Sequence, residues 1–280
     1  MKVTTVKRLS KVLLVAVLAA VLGLGLVACG TKDKTTGELT QLVVGATVAP
    51  HAEILNALKD DLAAQGYELK VVEYTDYVKP NLDTNDGVTI ANFFQHKPYL
   101  DEFNAENNTD LVSVAAVHFE PLAIYPGKTK TLADLPDGAT VAVPNDTTNE
   151  ARALLLLQAQ GLITLPANAD LTVTPRDIVD NPKNLKIVEL EAAAIPAALP
   201  DADLGVINGN FALSAGLDAS TVLAKEDPNS QAADTYANIL VVKAGSENDP
   251  GIKALAKALN SEKCRKFIND TYQGLVIPVF

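Results

Sequence analysis

The 280-residue sequence has no tryptophan, one methionine, two cysteines and three histidines. It is also short of positive charge, with 23 Lys and Arg against 34 Asp and Glu. All four basic residues of the first 28 (Lys2, Lys7, Arg8, Lys11) lie in a stretch without an acid, so from Cys29 onward the balance is 19 − 34 = −15. A body this acidic has no basic stripe to neutralise phosphates, which excludes a nucleic-acid partner. The histidines His51, His96 and His118 sit 45 and 22 residues apart, in no metal-ligand spacing. Gly127-Lys128-Thr129 imitates the end of a P-loop, but Leu122 stands where the first glycine is required. There is no G-x-S-x-G elbow, and Cys264 lies between Lys263 and Arg265 in an amphipathic C-terminal stretch that reads as structural. The chain therefore offers no catalytic residue, metal ligand set or cofactor motif. What remains, at 48% apolar and 20% charged, is the composition of a globular protein large enough for one big domain or two lobes.

The N-terminus is the most legible segment. Lys7, Arg8 and Lys11 precede an apolar run from Val12 to Val27. As a helix that run reaches about 24 Å, short of the roughly 30 Å hydrocarbon core. A basic region followed by a short apolar one reads as an export signal over residues 1–28. The run ends Leu26-Val27-Ala28-Cys29-Gly30, which resembles a bacterial lipobox whose cysteine becomes lipid-modified. That places the protein on the extracytoplasmic face of a cell membrane, anchored through Cys29, and leaves Cys264 without a disulfide partner. Residues 29–39 are small and polar and read as a tether.

Beyond it, strand-like and helix-like segments alternate. Leu42–Thr47 is a β-branched run. His51–Gln65 carries apolar residues at 54, 55, 58, 62 and 63 and is closed by Gly66, and Glu68–Tyr74 is strand-like again. Strand, helix, strand at this spacing is a βαβ unit with a parallel pairing. Thr140–Pro144, Lys186–Leu190, Leu204–Ile207 and Asn238–Val242 are further strands. A helix is expected from Thr148 to Gln160, and two more near 250–259 and 261–273. The fold class is α/β.

Two features rise above that background. Seven of the fourteen aromatics (Tyr67, Tyr74, Tyr77, Phe93, Phe94, Tyr99, Phe103) fall between residues 67 and 103. Read as a group they form a ligand-facing apolar wall, the usual lining of a small-molecule site. The second is Pro144-Asn145-Asp146-Thr147-Thr148-Asn149-Glu150-Ala151-Arg152. Thr147 and Glu150 stand at capping-box spacing directly after a strand, so the helix start offers backbone N–H groups to an anion, and Arg152 adds a bidentate fork.

Four segments resemble the NlpA/MetQ family of methionine-binding lipoproteins, the substrate-binding components of bacterial ABC importers. They are Thr75-Asp76-Tyr77-Val78 with Pro80-Asn81; Asn92-Phe93-Phe94-Gln95-His96-Lys97-Pro98-Tyr99-Leu100; Pro144 through Leu154; and Val206-Ile207-Asn208-Gly209-Asn210. The resemblance implies a two-lobed periplasmic-binding-protein-like fold, each lobe a mostly parallel sheet flanked by helices, with the ligand in the cleft. Lobe 1 would comprise 40–122 and 239–280, and lobe 2 residues 123–238. It implies that Arg152 holds a substrate carboxylate and that Asn208, Asn238 and Asn210 hold its polar groups. Tyr77, Phe93, Phe94, His96 and Tyr99 would wall the side chain, with His96 the one group there expected to titrate near neutrality. The implied partners are methionine, L-methionine first, and an ABC permease with its ATPase. D-methionine, a methionine-containing dipeptide or another apolar amino acid are the alternatives within the fold, and a secreted α/β enzyme the alternative outside it.

Overall fold

The structure, a computed structural model, describes residues 39–280. The export signal, Cys29 and all but the last residue of the tether lie outside the described residues.

Eleven strands form two sheets among these residues. The first contains β1 (Thr40–Thr47), β2 (Tyr67–Tyr74), β3 (Ala91–His96), β4 (Leu111–Phe119), β10 (Asn238–Lys243) and β11 (Ile277–Pro278), in the order β11-β4-β10-β3-β1-β2. The second contains β5 (Ala123–Pro126), β6 (Thr140–Pro144), β7 (Lys186–Leu190), β8 (Leu204–Ile207) and β9 (Ala224–Lys225), in the order β7-β6-β8-β5-β9. Each sheet has its own core. Leu42, Val44 and Ala46 of β1 pack on Ile54, Leu55, Leu58 and Leu62 under the first, while Val141 and Val143 of β6 pack on Ala151, Leu154 and Leu157 under the second. Two separate cores joined by a few crossings make two lobes.

The expected βαβ unit is present, with β1 and β2 parallel from Thr40↔Tyr67 to Thr47↔Tyr74. Its helix is interrupted, running Glu53–Ala57 and Lys59–Ala63 around Leu58. Gly66 then turns the chain at φ +92°, a region where a side chain is strained. The sheets are mixed rather than mostly parallel. Of the five pairings in the first sheet only β1–β2 and β1–β3 are parallel, because β10 lies between β3 and β4 and runs antiparallel to both, as β11 does to β4. The second sheet likewise has two parallel pairings and two antiparallel ones.

The crossings position the site. The chain leaves the first sheet after Phe119 and enters the second at Ala123; it leaves the second after Lys225 and returns at Asn238. Glu120 and Glu226 are the first residues of these two crossings. Beside them, the β10–β3 register slips so that Ile239 faces Gln95 while Leu240 faces Phe93. Phe94 is thus opposite no residue, a bulge of the kind that re-aims a side chain.

Candidate functional site

A narrow cavity of about 20 Å³ lies where the lobes meet, lined by Tyr77, Phe94, Gln95, His96, Tyr99, Glu120, Asn149, Arg152, Asn208, Gly209, Asn210 and Asn238.

Arg152 projects from the helix Thr147–Ala159, which starts one residue earlier than expected. Its cap is Asp146, whose carboxylate accepts the Asn149 N–H at 3.1 Å, in place of a Thr147–Glu150 box. The helix start is therefore already supplied with an acid. Glu150 turns away, and burial, with Glu189 beside it, pushes its carboxyl up to about 8. Arg152 is only 4% exposed, and its Nε and Nη2 each donate to Glu226 at 2.6 Å. Nη2 also donates to the Glu120 backbone oxygen at 2.9 Å, and the guanidinium lies 4.2 Å from the centre of the Tyr236 ring. Burial alone would make the guanidinium easier to deprotonate; Glu226 more than offsets this. The bidentate fork is thus engaged within the protein, and Nη1 is the guanidinium nitrogen without a hydrogen bond among the described residues.

His96 ends β3 and caps the helix Lys97–Asn107, its Nδ1 accepting the Tyr99 N–H at 3.2 Å. That fixes the proton on Nε2, which donates to Asn149 Oδ1 at 3.1 Å across the cleft. Burial, and then Arg152, lower its pKa to about 3. His96 is therefore a fixed neutral donor and not the neutral-pH switch that its ordinary pKa suggests. Asn208 Nδ2 donates to the same Asn149 oxygen at 2.9 Å, and Tyr77 Oη donates to Asn210 Oδ1 at 2.6 Å. These bonds leave Asn208 Oδ1 and Asn210 Nδ2 buried without partners, one acceptor and one donor in the same cavity. Asn238 Oδ1 meets His51 Nε2 at 3.0 Å.

The apolar side is a tilted stack: Tyr77 lies 5.7 Å from Phe94, 5.6 Å from Tyr99 and 4.8 Å from Phe211, between ring centres. Phe93 is a correction. It is fully buried in the first core, against His51 and His118, because the bulge sends only Phe94 toward the cleft. The aromatic segment as a group is mostly core as well: Tyr77, Phe94 and Tyr99 line the cavity, and Tyr67, Tyr74, Phe93 and Phe103 do not.

Known proteins match this chain in sequence and fold. The family model for NlpA lipoprotein matches residues 42–280, nearly all of the described chain. The chain belongs to the NlpA lipoprotein family. Among its relatives, Membrane lipoprotein TpN32 of Treponema pallidum is 42% identical, over 90% of this chain and 91% of its own length. Methionine-binding lipoprotein MetQ of Bacillus subtilis is 39% identical, over 90% and 93%. A solved structure of a nutrient binding protein from Burkholderia cenocepacia bound to methionine is 40% identical, with TM-score 0.80 over 85% of this chain and all of that one.

In this NlpA-family chain the residues given a role from sequence are eight of the twelve that line the cavity; Gln95, Asn149 and Gly209 lay in the quoted motifs without a role, and Glu120, like the Arg152 partner Glu226, lay outside them. Glu120 left a trace, being the only charged residue in the otherwise apolar run from Leu111 to Tyr125, apart from His118 should it protonate. Glu226, in Ala224-Lys225-Glu226-Asp227-Pro228, left none. Its bond to Arg152 spans 74 residues of sequence. Gly209 allows Glu120 its place, since a Cβ there would lie 2.8 Å from Glu120 Oε2.

Proposed function

We propose that this NlpA-family chain is a lipid-anchored extracytoplasmic receptor that captures methionine and delivers it to an ABC permease with its ATPase. The observation that carries the reading is the polar set in one small cavity. Asn208 Oδ1 and Asn210 Nδ2 are an unpartnered acceptor and donor, and their residues line the cavity together with Arg152, whose Nη1 is free, and Glu120. A zwitterion satisfies all four: its carboxylate takes Arg152 Nη1 and Asn210 Nδ2, and its ammonium takes Asn208 Oδ1 and the Glu120 carboxylate. The Tyr77–Phe94–Tyr99 wall offers the side chain no charge, which suits a thioether. Sulfur–aromatic contacts add about 0.3–1.5 kcal/mol beyond area burial. The names of its relatives, MetQ of Bacillus subtilis and the methionine-bound Burkholderia protein, support the same ligand. Anchoring through Cys29 follows from the lipobox and the family, and the permease partner from a neighbour described as an ABC transporter periplasmic substrate-binding protein.

The receptor performs no chemistry. His96 is held neutral between two partners, and Cys264 is buried in the first core with its thiol pushed up to about 12 by burial. The test is a thermal-shift panel of the amino acids, both methionine enantiomers and methionine-containing dipeptides. It uses protein stripped of ligand by unfolding and refolding. L-methionine is expected to give the largest shift, norleucine and leucine smaller ones. Lysine and glutamate should give none at about 1 mM, because each would bury a charge without a partner. A larger shift with a charged amino acid overturns the methionine assignment.

A further inference from the structure

The helix Lys79–Asn85 is docked on β3 by side-chain amides and hydroxyls rather than by apolar packing alone. Asn81 and Gln95 exchange two hydrogen bonds. Asn81 Nδ2 donates to Gln95 Oε1 at 2.9 Å, and Gln95 Nε2 donates to Asn81 Oδ1 at 2.6 Å. The other N–H of Gln95 Nε2 donates to Asn92 Oδ1 at 2.8 Å. Asn92 Nδ2 in turn donates to Asn81 Oδ1 at 3.0 Å and to Thr84 Oγ1 at 2.8 Å, and Thr84 Oγ1 lies 2.9 Å from Thr89 Oγ1. All five side chains are buried. The bulge at Phe94 makes the cluster possible. In a regular strand residues 92 and 94 share a face; the extra residue brings Gln95 beside Asn92 and sends Phe94 to the cavity. A buried polar network satisfied in this way specifies one arrangement of its members.

Gln95 lines the cavity, whereas Asn81 and Asn92 do not. A glutamine in that place has two N–H donors and a carbonyl acceptor to offer a ligand. Here all three are spent on Asn81 and Asn92. The hydroxyls beside it are spent as well: Tyr99 Oη donates to the Tyr77 backbone oxygen at 3.0 Å, and Tyr77 Oη to Asn210 Oδ1. The wall is thus apolar toward a ligand side chain through bonds made inside the protein, and not by composition alone. Taking the amino-acid reading above as its premise, we infer that Asn81, outside the cavity, is a positioning residue that sets side-chain specificity: by holding both ends of the Gln95 amide it withholds that amide from the ligand and so excludes polar analogues of methionine. The nearest such analogue is methionine sulfoxide, whose sulfur carries a polar oxygen. With Asn81 in place that oxygen enters a wall with no free donor to receive it. Without Asn81, one Gln95 N–H and the Gln95 carbonyl are released, and the N–H receives the sulfoxide oxygen.

The experiment compares L-methionine with its sulfoxide by calorimetry on the full mature chain. The wild type should prefer methionine by about a hundredfold, the scale on which an apolar pocket rejects a polar isostere. Asn81→Leu should weaken methionine, which now faces an unpaired amide. It should tighten the sulfoxide by about three- to tenfold, the worth of one regained hydrogen bond, so that the preference narrows to about tenfold or less. Loosened packing weakens both ligands; it cannot strengthen one while weakening the other. Adding Gln95→Met to Asn81→Leu removes the released amide and should return the preference to about a hundredfold. Asn81→Ala removes the same partner without the bulk of leucine and should behave as Asn81→Leu does. Parallel weakening of both ligands in the two Asn81 variants, with the preference within about threefold of wild type, overturns the inference. So does a double variant that stays permissive, and so does failure of both Asn81 variants to fold, which makes the network a structural part only. Wild type that binds neither ligand sinks the amino-acid reading instead.

Discussion

Glu226→Gln isolates the pair on which the cavity is built. Arg152 and Glu226 side chains are 4% and 10% exposed, so neither can trade its partner for water. Glu226 accepts from Arg152 Nε, from Arg152 Nη2 and from the Leu122 N–H at 2.8 Å. The glutamine amide keeps one oxygen for these three donors and turns an NH2 toward the others. Breaking a buried ion pair by removing one charge costs about 3–5 kcal/mol, and the retained oxygen argues for about 3. At roughly 2–4 °C per kcal/mol for a unit of this size, the melting temperature should fall by roughly 6–12 °C. The same variant frees the Arg152 fork, so a ligand carboxylate now meets an unneutralised cation. Methionine should accordingly bind the variant more tightly and, at equal total concentration, raise its melting temperature by more than it raises that of the wild type. Differential scanning fluorimetry with and without methionine reads both numbers. A drop below about 2 °C would mean that the pair is worth no more than a surface bridge, and an unchanged methionine increment would mean that Arg152 does not face the ligand carboxylate.

Acid should destabilise the fold. His51, His96 and His118 have native pKa values of about 4, 3 and 3, so between pH 6.5 and about 4 the unfolded chain takes up protons that the native one refuses, at about 1.4 kcal/mol per group per pH unit. Glu150, Glu120 and Asp146, whose pKa values are raised, act in the opposite direction and offset part of this loss. The urea midpoint should be lower at about pH 5 than at about pH 6.5, and a higher one at the acid end contradicts the histidine assignments. Cys29→Ser should release the protein from membranes almost completely with methionine binding intact, since stable anchoring takes more than one acyl chain; fractionation showing unchanged membrane association refutes the anchor.

The parts of the fold that could be read in the sequence are those encoded by short-range patterns. β6, β7 and β8 are apolar or β-branched runs between turn residues, and each occupies the expected residues. Strand direction has no such local mark, which is why the antiparallel entry of β10 and β5 was not foreseen. The bulge at Phe94 is one extra residue in an apolar run. Strict alternation cannot reveal it, and so Phe93 and Phe94 looked equivalent. At the start of the Arg152 helix, Asp146 and Thr147 are both good caps, and the choice falls to Asp146 because its carboxylate also holds the Asn149 side chain at 2.8 Å. Arg152 was legible as an anion partner. That an internal acid takes most of its donors was not, because the Arg152–Glu226 contact depends on where the second crossing lands.

The neutrality of the Arg152–Glu226 pair has a kinetic consequence. From Cys29 onward the protein carries 19 − 34 = −15 formal charges, a field that slows the approach of any anion and draws in cations. A receptor that offered a bare guanidinium in such a field would attract its own acidic surface and every small carboxylate in the medium. With that charge cancelled inside the protein, the cavity presents only local dipoles and one short-range acid. A zwitterion carries no net charge for the surrounding field to act on. Its encounter rate should therefore vary little between dilute buffer and high salt, unlike that of a steered ionic ligand. Under the anchoring proposed above, where the ionic environment is not the protein's own to set, capture would then depend on the concentration of the amino acid and hardly at all on the salt around it.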